Sequence, residues 1–111
     1  MGYKRGEVWF VAFPLEEDPD QFTNRPVIVL DEQILGVLSV KVTKHKPREN
    51  DKYDTPILYW QQAKLRFAST ARISKTMILD RDAFLVKLGD LHPDDLKSIE
   101  EQYMKYVSEK I

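Results

Sequence analysis

Cysteine is absent from the chain, and that absence removes disulfides, thiolate metal sites and cysteine nucleophiles together. It fits a reducing compartment. Histidine is scarce: His45 and His92 are the only two, and nothing in their spacing brings both rings to one phosphate. No apolar run approaches the roughly 20 residues that cross a bilayer. The opening segment Met1-Gly2-Tyr3-Lys4-Arg5-Gly6-Glu7 holds no apolar stretch of signal-peptide type. A cytoplasmic protein with no membrane association is the expectation. The Gly-rich phosphate loop, Gly-x-Ser-x-Gly and His-Glu-x-x-His patterns are also missing, so the chemistries they carry are not indicated. Nor is there a charge excess. The 17 Lys and Arg against 18 Asp and Glu give a net charge of −1, so any polyanion must be met by a local patch.

What the chain does have is a core. Its 111 residues, 42% of them hydrophobic, suffice for one domain over 1–111. Glu7 to Phe13 is a run of β-formers stopped by Pro14. Both of its faces are apolar, so it is either central or covered by a partner. Residues 14–25 are polar and read as a loop. Val27–Leu30 and Ile34–Thr43 read as strands, with Gly36 a possible bulge. A polar loop follows from Lys44 to Thr55, then a short strand Ile57–Trp60 and one helical turn over Gln61–Leu65. Phe67–Ile73 and Met77–Leu79 read as further strand pieces; Phe84–Leu88 is ambiguous. At the C-terminus His92 or Asp90 can cap a helix that begins at Pro93, with Asp94 and Asp95 at its positive end. Leu96, Ile99, Tyr103 and Val107 then recur at helical spacing, for roughly four turns. The fold class is mainly β: a small antiparallel barrel with one C-terminal α-helix.

Local charge is uneven. Lys41, Lys44, Lys46, Arg48 and Lys52 cluster, whereas Glu16, Glu17, Asp18 and Asp20 make an acidic loop. Read alone, the basic segment is as well a solvated face as a binding patch. The loop acids read as solvated rather than as a metal site. His45 sits in the basic segment with a side chain suited to acid–base work. Arg25 closes the first polar loop and enters a strand, so a group able to grip phosphate bidentately stands on a rigid base. Thr43 ends the long strand with a hydroxyl that can donate to phosphate. Arg72 lies among β-formers. Trp9, Phe22, Tyr59 and Trp60 could stack on bases, with Trp9 and Tyr59 better explained as core. Phe22 is a large apolar group within a polar loop.

Four blocks in this order resemble the MazF/PemK toxin family: Lys4-Arg5-Gly6-Glu7-Val8-Trp9, Asn24-Arg25-Pro26-Val27-Ile28-Val29-Leu30, Val40-Lys41-Val42-Thr43, and Ala71-Arg72-Ile73-Ser74-Lys75. A closing helix after Lys87-Leu88-Gly89-Asp90-Leu91 matches the family layout. The resemblance spans almost the whole chain, and the first two blocks are its most specific part. It implies an SH3-like barrel, a symmetric homodimer and a cognate antitoxin. The implied activity is that of an mRNA interferase, an endoribonuclease toxin that arrests growth. It cuts single-stranded RNA sequence-selectively, without metal or other cofactor, by attack of the neighbouring ribose 2′-hydroxyl.

Carried over by position, Arg25 and Thr43 match the family's catalytic arginine and threonine. Gln21, Lys44, His45, Lys46, Arg48 and Arg72 become the residues expected to bind RNA. There are departures. The loop before Arg25 lacks glycines, and Asp20-Gln21 stands where the family often has Glu-Gln. Ser69-Thr70 stands before Arg72 where an acid or amide is common. Two other readings share the fold: a CcdB-like toxin that poisons DNA gyrase by contact, and an RNA-binding relative that no longer cuts.

Overall fold

The computed structural model describes residues 2–110. Six antiparallel strands form one sheet: β1 (Glu7–Pro14), β2 (Phe22–Gln33), β3 (Gly36–Thr43), β4 (Asp54–Ile57), β5 (Ser69–Leu79) and β6 (Phe84–Asp90), in the order β4-β5-β3-β2-β1-β6. One helix, α1 (Pro93–Lys110), closes the fold. This is a mainly β architecture with a C-terminal helix. No described helix is long and apolar enough to cross a membrane.

The apolar β1 run is central, between β2 and β6. Its two faces serve two cores. Val8 joins Ile28, Leu30, Val40, Val42, Ala71, Ile73 and Ile99 beneath the helix, while Val11 and Phe13 join Val27 and Leu79 on the opposite face. Val27–Leu30 is buried throughout because each face of β2 meets one of these clusters. The short β4 stands at an edge and carries an exposed Pro56, where a missing ladder donor is tolerated.

Several boundaries differ from the sequence reading. The strand β2 begins at Phe22, not Val27, because Phe22–Pro26 zips against Phe10–Pro14; tertiary pairing overrides the polar composition. The turn proper is 15–21. Ile34 and Leu35 are the two-residue tip of the β2–β3 hairpin and almost wholly exposed. Gly36 is not a bulge: a Cβ there would lie 2.5 Å from the Leu79 carbonyl oxygen, so the glycine permits close approach of β5. The two late strand pieces are one strand, β5, with Phe67 outside it. Residues 84–88 belong to β6.

The helix has 18 residues, about five turns. His92 caps it twice over: its carbonyl accepts from the Leu96 N–H at 3.0 Å, and its Nδ1 accepts from the Asp94 N–H at 3.0 Å. Asp95 does more than complement the dipole. Its buried carboxylate accepts the N–H groups of Leu58 and Tyr59 at 3.0 and 2.8 Å, which ties the helix start to the end of β4. Ile99 seats fully in the core, flanked by Leu96, Tyr103 and Tyr106. At the far end Tyr53 donates to Glu109, and Lys52 pairs with the same carboxylate.

Candidate active site

Residues directly opposite in an antiparallel pair share a face. The pairs Val11–Arg25, Val27–Lys41, Lys41–Arg72, Thr43–Thr70 and Asp54–Arg72 therefore bring Arg25, Lys41, Thr43, Arg72 and Asp54 to one face across four strands. Thr43 lies two residues past the Val27–Lys41 rung, near Arg25. The Arg25 guanidinium reaches the end of β3, where Nη1 lies 3.5 Å from the Val42 carbonyl oxygen. Thr43 is only 7% exposed, and its Oγ1 accepts from the His45 N–H at 3.4 Å.

Cations crowd here. Burial, and next the charge of Arg72, weaken the hold of Arg25 on its proton relative to an ordinary guanidinium, with Glu16 opposing. Burial and the charge of Arg25 act on Lys41 in the same direction, and its side chain is 12% exposed. Among the described residues, only two buried side-chain nitrogens or oxygens lack a hydrogen-bond partner: Nε of Arg25 and Nε of Arg72. Buried donors are nearly always satisfied, so two such donors, one on each side of β3 and near enough for their charges to interact, describe a place that fits an anion. Glu16, on the β1–β2 turn, is the acid that reaches it, at 2.9 Å from Lys75 Nζ and 3.8 Å from Lys41 Nζ. The Lys75 hydrogen bond holds its carboxyl below the usual range, so it stays ionised.

A groove of about 750 Å³ opens over Arg25 and Thr43. Asn24, Lys44 and His45 line it together with Lys64, Arg66 and Phe67 of the β4–β5 loop. The wall holding His45 is fixed: its carbonyl accepts from Thr70 Oγ1 at 2.7 Å.

Of the residues singled out from sequence, Arg25, Thr43, Lys44 and His45 meet in this groove. Arg72 lies next to Arg25 electrostatically and opposite Lys41 on β5. Gln21 and Lys46 are exposed and do not line it. Arg48 is held elsewhere, by Asp54 and Asp51. The sequence reading missed Lys41 and the Lys64–Phe67 wall as parts of the site. Strand alternation from Thr43 would have found Lys41; no local signal marks residues 64–67, which come to the groove by long-range packing.

This arrangement can now be set beside known proteins. A family model described as PemK-like, MazF-like toxin of type II toxin–antitoxin system matches residues 4–107. The chain belongs to this family. Among solved structures, an endoribonuclease in complex with its cognate antitoxin from Mycobacterial species is similar, with a TM-score of 0.74 and 12% sequence identity over 96% of each chain. At that identity the likeness is one of fold. No curated protein matches the sequence.

Within the MazF/PemK frame the departures acquire structural reasons. Ser69 and Thr70 replace an acid or amide by hydroxyls that hold backbone: Ser69 Oγ donates to the Phe67 carbonyl at 2.6 Å, and Thr70 Oγ1 to that of His45. The loop before Arg25 does without glycine because it is a hairpin turn, fastened by Leu15 N–H to Gln21 carbonyl and Gln21 N–H to Asp18 carbonyl bonds of 3.0 and 2.9 Å.

Proposed function

We propose that this chain is a sequence-selective endoribonuclease toxin that cuts single-stranded RNA without a metal or other cofactor. The observation that carries the reading is the pair of unpartnered buried guanidinium nitrogens, on Arg25 and Arg72, beside the Thr43 hydroxyl. A phosphodiester drawn into the groove supplies an acceptor for the Arg25 donor, while Arg72, outside the groove lining, acts on it through its charge.

The neighbouring ribose 2′-oxygen attacks phosphorus and gives up its proton. The bond from phosphorus to the 5′-oxygen breaks, and that oxygen gains a proton. The products are a 2′,3′-cyclic phosphate and a free 5′-hydroxyl. Negative charge gathers on the phosphorane between these events. Arg25 and Thr43 stabilise it, and one donor aimed at such charge is worth roughly 3 kcal/mol. Charge stabilisation is the first role of Arg25. Arg72 and Lys41 draw the phosphate in, while Lys44 and His45 take neighbouring parts of the strand. Gln21, Lys46 and Arg48 lie off the groove floor, and any part they take is with more distant nucleotides.

The reading includes a homodimer, in keeping with the family, and exposed Ile34, Leu35, Met77 and Ile78 supply apolar surface for it. It also includes an antitoxin whose extended acidic segment competes for the cationic groove. The test is purified protein with EDTA on a long single-stranded RNA, with the cut ends mapped. Discrete cuts leaving 5′-hydroxyl ends, absent with Arg25→Ala, are expected. Intact RNA from folded protein overturns the reading, and gyrase inhibition or RNA binding without cleavage then becomes the question.

A further inference from the structure

The β4–β5 loop brings to the groove, beneath the Lys44 ammonium, an aromatic ring that the mechanism above leaves unused. Phe67 is 56% exposed, so it forgoes much of the stabilisation that full burial of such a side chain brings. An exposed phenylalanine alone is ordinary. Here four further observations bear on it. It lines the same groove as Arg25 and Thr43. The Lys44 ammonium stands 5.5 Å from its ring centroid. Arg66 and Lys64, its neighbours in sequence, line the groove with it. And the loop that presents it is rigidly built.

That rigidity has identifiable sources. Ala63 and Leu65 are buried in the main core. The Leu65 N–H donates to the Trp60 carbonyl at 3.1 Å and the Lys64 N–H to that of Gln61 at 3.0 Å. Lys64 is held at φ 66°, a left-handed conformation that is costly for a non-glycine residue and persists only where surroundings impose it. Gly89 of β6 lets the loop approach so closely that a Cβ there would meet the Ala63 carbonyl oxygen at 2.7 Å. Ser69 Oγ then fixes the Phe67 carbonyl. A ring on such a frame can receive a flat ligand with little ordering cost.

We infer that Phe67 is a stacking platform for one unpaired nucleobase of the bound strand, with Lys44 and Arg66 holding the phosphates that flank it. The inference rests on the reading of Arg25 and Thr43 as the phosphate-handling pair. An exposed ring amid cations along a phosphate-binding groove is the surface that single-stranded nucleic acid uses, bases on aromatics and backbone on cations. Stacking tolerates any base but favours purines for their larger face, so this subsite biases which sequences are cut.

The experiment uses a single-stranded DNA oligonucleotide of mixed sequence, which lacks the attacking hydroxyl and cannot be cut, carrying a fluorescent purine analogue. Wild-type protein is expected to quench the analogue on stacking. Phe67→Leu keeps an apolar side chain but no ring; it should lose the quenching and bind about tenfold more weakly. Phe67→Trp should restore both. Equal binding and quenching by wild type and Phe67→Leu overturns the inference, as does lost quenching that Phe67→Trp does not restore. A change confined to antitoxin-peptide binding also overturns it, and assigns the ring to protein recognition. A wild type that quenches yet cuts no RNA defeats the nuclease reading and leaves the platform standing.

Discussion

The guanidinium of Arg48 grips the carboxylate of Asp54 through two parallel bonds, Nε to Oδ2 at 2.8 Å and Nη2 to Oδ1 at 2.9 Å, and the Arg48 N–H adds a third at 2.9 Å. The Asp54 side chain is wholly inaccessible. Burial alone would raise its pKa; the Arg48 hydrogen bonds and the charges of Arg48 and Arg72 outweigh that and hold it below the usual range. A carboxylate lowered on folding stabilises above its unfolded range, and the stabilisation is lost as pH falls. Acid unfolding should therefore set in as pH drops below about 4. Asp54→Asn, which leaves Arg48 with Asp51 alone as counter-charge, should cost about 2 kcal/mol and flatten that acid limb. Thermal melts from pH 7 downward read both effects, and an unchanged melting temperature would refute the structural role.

Arg25 is half-buried and makes one long contact, to the Val42 carbonyl, so the fold owes it little. Arg25→Ala should abolish cleavage and growth arrest with the melting temperature nearly unchanged. Arg25→Lys keeps the charge but not the planar fork, and should lose about a hundredfold in cleavage rate. Thr43→Ala should fall in the same range. Single-turnover rates with folding checked by circular dichroism decide it; a folded, fully active Arg25→Ala protein sinks the assignment.

The cations that line the groove and Lys46, which lies outside it, should separate by salt dependence. Neutralising Lys44, Lys64 and Arg66 together should lower the slope of log affinity against log salt by about 2, at roughly 0.7 per phosphate for a single strand. Neutralising Lys46 should change it much less, since that side chain lies outside the groove. Titrations of single-stranded oligonucleotide at several salt concentrations make the comparison. Equal effects from the two variants would mean that the loop's general charge, not the groove, attracts RNA.

Glu16 stands where an incoming phosphate would feel Lys41 and Lys75. Its side chain is largely exposed, so the pairs are solvent-screened and of modest strength. Glu16→Gln should raise RNA affinity by up to about threefold, with little change in the rate once RNA is bound. Weakened affinity would mean that the acid orders the two lysines rather than competing with RNA.

Much of the fold was legible because its elements carry strong local signals. The β1 run, the helix start at Pro93 and the helical spacing through Ile99 each agree with the tertiary outcome, whereas Gly89, read as ending its segment, lies within β6. What escaped depends on partners remote in sequence. Phe22–Arg25 is polar and becomes strand only because Val11–Pro14 pairs with it. Ser74–Thr76 is strand because the pieces on either side of it both pair with β3. For the site, Arg25, Thr43, Lys44 and His45 were reachable by position, while Arg48 was misleading: its charge suggests a ligand, but its hydrogen bonds go to Asp51 and Asp54. Phe67 had no signal at all, since a phenylalanine before a strand reads as core until its exposure is known.

Asp95, finally, reaches back across the chain to the N–H groups of Leu58 and Tyr59, and Ile99 fills the core above β4. During synthesis residues 93–110 leave the ribosome after everything they complete. Until then two backbone donors have no acceptor and the core lacks its central plug, so the sheet stays loose where the β4–β5 loop must set. Order of translation thus becomes order of assembly, and the groove can take its final shape only when the last element arrives.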